Sequence, residues 1–260
     1  MTKSAKELAF LRDLYVSGDW TERFTNIFDE HFSFSDEKRV LYLNAGTGNH
    51  ALALREKLDQ KSEIHAVCEN EELQHIAQAK ADAIKAKIEF TTDAPARKFD
   101  AVFANASFVL PKDIHNFVQK IADYSTKDVI FFLPTAGSFG EIFSFLWETF
   151  FNLDLVENGA EVERLISELP TVSQIEQTMQ KCGLKQVKSF IKNEIFEFEN
   201  GAEFINSPLI DSFLLPHWLS FLTEKEREKV SKKLVQTIDE DDGTMSFRFS
   251  VKATLVSGTK

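Results

Sequence analysis

The stretch Asn44-Ala45-Gly46-Thr47-Gly48 is built to bring backbone close to a ligand. It follows the apolar, β-type run Val40-Leu41-Tyr42-Leu43 and precedes a helix-period pattern at Ala51, Leu52, Leu54 and Leu58. Strand, glycine turn, helix leaves space where a Cβ would stand. The free N–H groups opening the helix favour polar or anionic groups. His50 falls in the first turn of that helix, within reach of a ligand carboxylate. An ordinary tight turn can carry the same residues, so the motif gains meaning only from its surroundings.

The surroundings repeat the pattern. Residues 63–67 read as a second strand, ending at Cys68-Glu69-Asn70 before a helical run over 71–85. Residues 88–92 read as a third strand, followed by Asp93-Ala94, and 99–104 as a fourth, followed by Asn105-Ala106-Ser107. Residues 128–133 form a fifth, closed by Pro134. Strands alternating with helices imply βαβ units and an α/β, doubly wound, mostly parallel sheet. Polar residues recur just past the strand ends, the edge where open α/β sheets bind ligands.

In this order the segments resemble class I S-adenosylmethionine-dependent methyltransferases. The strand and glycine turn at 40–48 resemble the family's first motif, an acidic residue followed by G-x-G-x-G. Ala66-Val67-Cys68-Glu69-Asn70-Glu71-Glu72-Leu73, through Ile76-Ala77, resembles the second strand and helix start. Thr92-Asp93-Ala94 resembles the third strand's end, where an Asp commonly meets the adenine amino group. Phe99-Asp100-Ala101-Val102, with Asn105 and Ala106, resembles the fourth strand and the loop lining the methionine part of the cofactor. The match is close over 40–133. It continues loosely through a helix at 174–182, a Gly183-Leu184 turn, and late strands at 185–198 and 245–256. The resemblance implies a Rossmann-like methyltransferase sheet with an antiparallel late strand, S-adenosylmethionine as cofactor, and contacts from Asn44, Ala45, Gly46, Thr47, Gly48, His50, Cys68, Glu69, Asp93, Ala94, Asn105 and Ala106.

Three positions depart from the family pattern. Tyr42 stands at the acidic position, Asn44 at the first glycine, and Cys68 where an acid grips the ribose hydroxyls, with Glu69 one place later. Asn tolerates left-handed backbone, so Asn44 is expected to keep the turn. Tyr42 and Cys68 cannot replace a carboxylate acceptor. Glu69 substitutes only if the strand ends one residue late, since alternation otherwise points it to the other face. These departures motivate an alternative, a catalytically degenerate cofactor-binding or scaffold protein. A dinucleotide-binding oxidoreductase using NAD is the third reading, because Gly46-x-Gly48-x-x-Ala51 fits a relaxed fingerprint and Glu69 follows about 20 residues on. The helical leader before the motif and the terminal strand pair argue against it.

Composition limits the partners. The 260 residues carry a formal charge of −11 with dispersed cations, which disfavours a nucleic-acid backbone. Cys68 and Cys182, the two cysteines, make no disulfide framework and suit a reducing compartment. No apolar run reaches bilayer-spanning length, and the N-terminus lacks a secretory layout. A cytoplasmic protein without nucleic-acid or membrane partners is expected. The oligomeric state is open.

The layout expected is a single domain over 1–260: a helical leader or lid at 1–38, a core at 39–199, a helical insert at 200–240 and a final strand at 241–260. In the leader, Phe10, Leu14 and Tyr15 share one face, and Phe24, Phe28 and Phe32 follow at spacings of four. Phenylalanine is abundant, at 25 residues, with a further cluster at Phe139, Phe143, Phe145, Trp147, Phe150 and Phe151. Most of these rings should pack leader and insert onto the sheet, and a few could line a pocket for a small, apolar or acyl-bearing acceptor.

Other constellations lead nowhere. Asp239-Glu240-Asp241-Asp242-Gly243 lacks the alternate-position ligands of a calcium loop and reads as a solvated turn. The six histidines show no metal-ligand pairing, so no metal is expected. Gly137-Ser138-Phe139-Gly140 is a loop, not a nucleophile elbow. His115 and His217 are the candidates for a general base, needed only if the acceptor is a hydroxyl or amine.

Overall fold

The computed structural model describes residues 3–34, 38–240 and 246–260. Seven strands form one sheet: β1 (Arg39–Leu43), β2 (Glu63–Val67), β3 (Glu89–Thr91), β4 (Phe99–Asn105), β5 (Ser125–Pro134), β6 (Lys185–Phe198) and β7 (Phe247–Thr259). Their spatial order is β3-β2-β1-β4-β5-β7-β6. The first five pair in parallel. β7 runs against its neighbours, since Lys260 N donates to Lys127 O while Thr135 N donates to Lys252 O, the numbering falling on one strand as it rises on the other. The doubly wound expectation holds, with β5 starting three residues before the expected 128.

Period-two alternation sorts the central strands. Leu41 and Leu43 stand in register with Val102 and Ala104, and these join Val129, Phe131 and Leu133 in one core layer. α5 (Ile114–Tyr124) and α8 (Val172–Lys181) cover that layer through Val118, Ile121, Ile175 and Met179. On the other face Tyr42 stands beside Phe103, and Phe103 beside Ile130. Both faces are buried, as a parallel sheet requires.

The leader closes that second face. It runs as α1 (Ala5–Leu11), a π-helical stretch (Arg12–Thr21) and α2 (Glu22–His31). A box of Ser4 and Glu7 caps its start. The expected face of Phe10, Leu14 and Tyr15 is exposed, at 49%, 69% and 45%. The buried stripe is Val16 and Trp20 together with the expected Phe24 and Phe28. The Arg12–Thr21 stretch is wound more widely than an α-helix, with Glu22 N bonded back to Ser17 O five residues earlier, and it buries Val16 and Trp20 while Leu14 and Tyr15 face out. Phe24 stacks on Phe132 at 5.7 Å, and Phe28 meets Phe103 edge-on at 5.1 Å. Each such ring contributes about 1.5–3 kcal/mol by burial, so these leader rings are part of the core.

The remaining sheet-flanking helices of the first half are α3 (Asn49–Lys57) and α4 (Glu71–Ile84), the latter capped by the Asn70 side chain on Leu73 N. The chain divides into two compact units. One contains Met1–Leu133, Thr171–Lys192 and Ala253–Lys260; the other contains Pro134–Pro170 and Asn193–Lys252. The second holds α6 (Gly140–Asn152), α7 (Gly159–Glu168), α9 (Gly201–Asn206), α10 (Leu215–Trp218) and α11 (Glu224–Asp239). Within it Phe139 and Phe143 pack on Trp218, while Phe151 is exposed. Residues 241–243 of the acidic turn, Met245 and leader residues 35–37 lie outside the described residues. No described helix is long and apolar enough to cross a membrane.

Candidate functional site

The sheet order reverses between β1 and β4, and the crevice beyond their carboxyl ends is where such sheets take ligands. The glycine turn lies there. Asn44, Gly46 and Gly48 all adopt left-handed backbone, with φ of 55°, 59° and 85°. Asn44 therefore does keep the turn, and its Nδ2 donates to Asn105 O at 3.0 Å, tying β1's end to β4's. Ala45 N donates to Val67 O at 2.9 Å, tying it to β2. A Cβ on Gly48 would stand 2.8 Å from the Phe90 ring and 2.9 Å from Ala77 Cβ, so only glycine fits.

At the second strand's end the structure distinguishes Cys68 from Glu69. Cys68 is buried, its N–H donates to Thr91 O, and burial with the Glu69 charge pushes its thiol up to about 12. Glu69 turns back to the glycine turn: Gly46 N donates to its Oε2 at 3.0 Å. Its Oε1 accepts from Arg12 Nη2 at 2.5 Å. The Arg12 side chain is only 11% exposed. Its guanidinium lies 5.2 Å from the Phe108 ring centroid and 3.4 Å from where a Gly46 Cβ would be. Arg12 thus joins the ends of β1, β2 and β4. Sequence reasoning missed it, because a pair separated by 57 residues leaves no local periodic signal. Further leader contacts fix the same turn. Ser17 Oγ meets Thr47 Oγ1 at 3.2 Å, and Lys80 pairs with Asp13 while donating to Asn49 Oδ1 at 2.6 Å. Trp20 Nε1 donates to Ser107 Oγ at 3.0 Å.

A cavity of about 270 Å³ lies between leader and turn. Ala45, Gly46 and Thr47 line it from the turn, Tyr42, His50 and Asn105 from the sheet and α3, and Glu22, Asn26 and Asp29 from α2. The Tyr42 hydroxyl and His50 Nδ1 share a hydrogen bond of 2.9 Å. Burial raises the Tyr42 phenol well above its ordinary range, the Glu69 charge adding to the effect. Burial also lowers His50 to about 4, so its ring is neutral near pH 7. His50 Nε2 is buried and has no hydrogen-bond partner among the described residues.

The other sequence-selected residues are distributed around this point. Asn105 Oδ1 accepts from Ser107 N at 2.9 Å and Ser107 Oγ at 2.7 Å. Ala106 is in the core, its N–H donating to Phe132 O, and Ala94 packs against the core layer. Asp93 is exposed, its carbonyl accepting from Thr91 Oγ1 at 2.7 Å. Asn44, Gly48, Cys68, Glu69, Asp93, Ala94 and Ala106 do not line the cavity. His115 is exposed on α5 and does not line it either. His217 belongs to the second unit, with Nε2 3.4 Å from Glu168 Oε1. Among the described residues no group of three or more His, Cys, Asp or Glu is placed to hold a metal ion.

No family model matches the chain. No curated protein matches it either. Solved structures do. The YcgJ protein from Bacillus subtilis is 14% identical with a TM-score of 0.56, the match covering 92% of this chain and 98% of that one. Phosphoethanolamine N-methyltransferase 2 of Haemonchus contortus, solved with phosphomonomethylethanolamine and S-adenosylhomocysteine, is 14% identical with a TM-score of 0.55 over 100% of this chain and 59% of that one. The [4+2]-cyclase SpnF is 13% identical with a TM-score of 0.51 over 92% and 80%. At these identities the similarity establishes the fold: a Rossmann-like methyltransferase sheet. SpnF is a reminder that reaction type must be argued from the site, not from the fold.

Proposed function

We propose that the chain is an S-adenosylmethionine-dependent methyltransferase acting on a small-molecule acceptor. The observation that carries this reading is the left-handed turn at Asn44–Gly48, held at the switch point of the sheet with the Glu69 carboxylate beside it. The methyltransferase fold of its structural neighbours supports it, and one of these was solved with S-adenosylhomocysteine. The residues present fit such a group. Ala45–Thr47 and Asn105 line the cavity from the strand ends, Glu69 offers an acceptor for ribose hydroxyls, and the buried, unpartnered His50 Nε2 offers a polar contact. Arg12 must share or release Glu69 when a hydroxyl binds there, because it already occupies Oε1.

Bound S-adenosylmethionine would supply a methyl on a sulfonium, which leaves as a neutral thioether when an acceptor lone pair attacks in line. The protein's task is then positioning and exclusion of water, which Trp20, Phe24 and the turn serve by closing the sheet face. A carboxylate acceptor loses no proton. A hydroxyl or amine does, and His50, neutral near pH 7, is nearer the cavity than His115. The rings of Phe24 and Phe28 go into the sheet, and α2 offers the cavity Glu22, Asn26 and Asp29.

A non-catalytic binder of the same group is the second reading, favoured by Arg12 already seated on Glu69. Calorimetric titration should give binding of S-adenosylmethionine and S-adenosylhomocysteine, with NADH far weaker. Release of S-adenosylhomocysteine over a panel of small acceptors then separates enzyme from binder. A preference for NADH would overturn the proposal.

A further inference from the structure

Among the described residues the charges around the cavity pair off except for one. Arg12 is paired with Glu69, and Asp29 with Lys57 Nζ at 2.5 Å. Asp13, beside the turn, is paired with Lys80. Glu22 also lines the cavity, and its carboxylate has no hydrogen bond or ion pair among the described residues. It opens α2, whose inward-facing Phe24 and Phe28 are locked into the sheet, so the helix holds Glu22 at the cavity while burying its neighbours. The buried His50, whose Nε2 has no hydrogen-bond partner among the described residues, lines the same space. An exposed acid without a partner among the described residues, in a cavity floored by Ala45–Thr47, suits a cationic group, and the His50 Nε2 beside it accepts from that group when Nδ1–H donates to the Tyr42 oxygen.

We infer that Glu22 binds the ammonium of the cofactor's amino-acid arm, so that the leader supplies the carboxylate that the first strand lacks at Tyr42. The inference rests on the proposed function, because it takes the cavity as the seat of that arm. Tyr42 cannot serve: its phenol is protonated and committed to His50. A carboxylate on α2 reaches the cavity from the opposite wall, where the β1 side chain has been replaced by a hydrogen-bonded ring pair. The leader would then recognise ligand as well as complete the core.

Glu22→Gln tests this without removing bulk, and thermal melting establishes that the variant is folded. Three probes are titrated calorimetrically into wild type and variant: S-adenosylmethionine, S-adenosylhomocysteine and 5′-methylthioadenosine, which keeps the adenosyl thioether and lacks the amino-acid arm. Charge-assisted hydrogen bonds contribute enough for a loss of about tenfold or more in affinity. That loss is expected for the first two probes and not for the third. Equal affinities of wild type and variant for all three, or an equal loss for all three, would overturn the inference while leaving the site reading intact. Loss confined to S-adenosylmethionine would shift the contact to the sulfonium and overturn it as stated. Wild type binding none of the probes would remove the proposed function itself, and this inference with it.

Discussion

The chain makes a strand, a glycine-bearing turn and a helix after β1 and again after β5, and the polar groups of the two turns are used differently. After β1, Asn44 at φ 55° and Gly46 at φ 59° lead into α3; after β5, Gly137 at φ 90° and Phe139 at φ 64° lead into α6. In the second turn the polar groups are spent internally. Ala136 N donates to Pro170 O, Phe139 N to Ser250 O, and Lys252 N to Ser138 Oγ at 2.9 Å in each case. Ser138 Oγ in turn donates to Thr135 O, and the Phe139 ring is buried against Trp218. In the first turn Gly46 N meets a carboxylate, and Gly46 borders a cavity. The difference lies in the neighbouring strand. β4 runs parallel to β1 at the switch point and leaves a crevice, whereas antiparallel β7 hydrogen-bonds along the second turn and closes it. A glycine turn is therefore permission for a ligand site, and the sheet around it decides.

The largest effect that would sharpen this comparison is on stability. Gly48→Ala places a methyl against the Phe90 ring and Ala77, neither of which can swing away. Overpacking costs about 1–3 kcal/mol, in addition to about 1–2 kcal/mol for left-handed backbone. At Gly137 the Cβ would meet the end of the Lys252 side chain at 2.8 Å, which can move, so Gly137→Ala should cost the backbone strain alone. Urea unfolding of the two variants measures the difference, and equal losses would contradict the tighter packing of the first turn.

Binding gives the next effect. Glu69→Ala removes both the turn's N–H acceptor and the proposed ribose acceptor, so affinity for S-adenosylhomocysteine should fall by at least about tenfold, equivalent to about 1.4 kcal/mol. Cys68→Ala should leave it nearly unchanged, since the thiol is buried and protonated. The reverse result, with Cys68→Asp tightening binding and Glu69→Ala silent, would mean that the second strand ends in the family's register after all.

The smallest effect is a pH dependence. His50 titrates near 4 in the folded chain, against about 6.5 when unfolded. A depressed folded value means that its contribution to stability is fully present above about pH 6.5 and lost as pH falls through about 4. Melting curves between pH 7 and pH 4 should therefore fall more steeply for wild type than for His50→Gln. Residues 134–140, in the second turn, carry no titratable side chain and should contribute nothing to that slope.

Much of the framework was readable from sequence. Residues 63–67 and 185–198 were expected as strands and are β2 and β6. Asn44 was expected in left-handed backbone and adopts it. Such features depend on side-chain alternation and on single-residue backbone preferences, both local properties. Helix ends were less legible: α8 begins at Val172 rather than 174, because the Thr171–Gln174 capping box sets its start ahead of the apolar pattern.

By itself, then, the sequence determined the alternating elements, the turn at Asn44–Gly48 and the choice that Glu69 or Cys68 must face it. Tertiary structure decided which one does, by bringing Gly46 N and Arg12 to the Glu69 carboxylate. It also turned Phe10, Leu14 and Tyr15 outward and set Glu22, which has no side-chain partner among the described residues, beside the cavity. The physical reason is that alternation and capping act between residues a few positions apart. Ion pairing and cavity lining depend on which distant segments the sheet order brings together, and no local pattern encodes that.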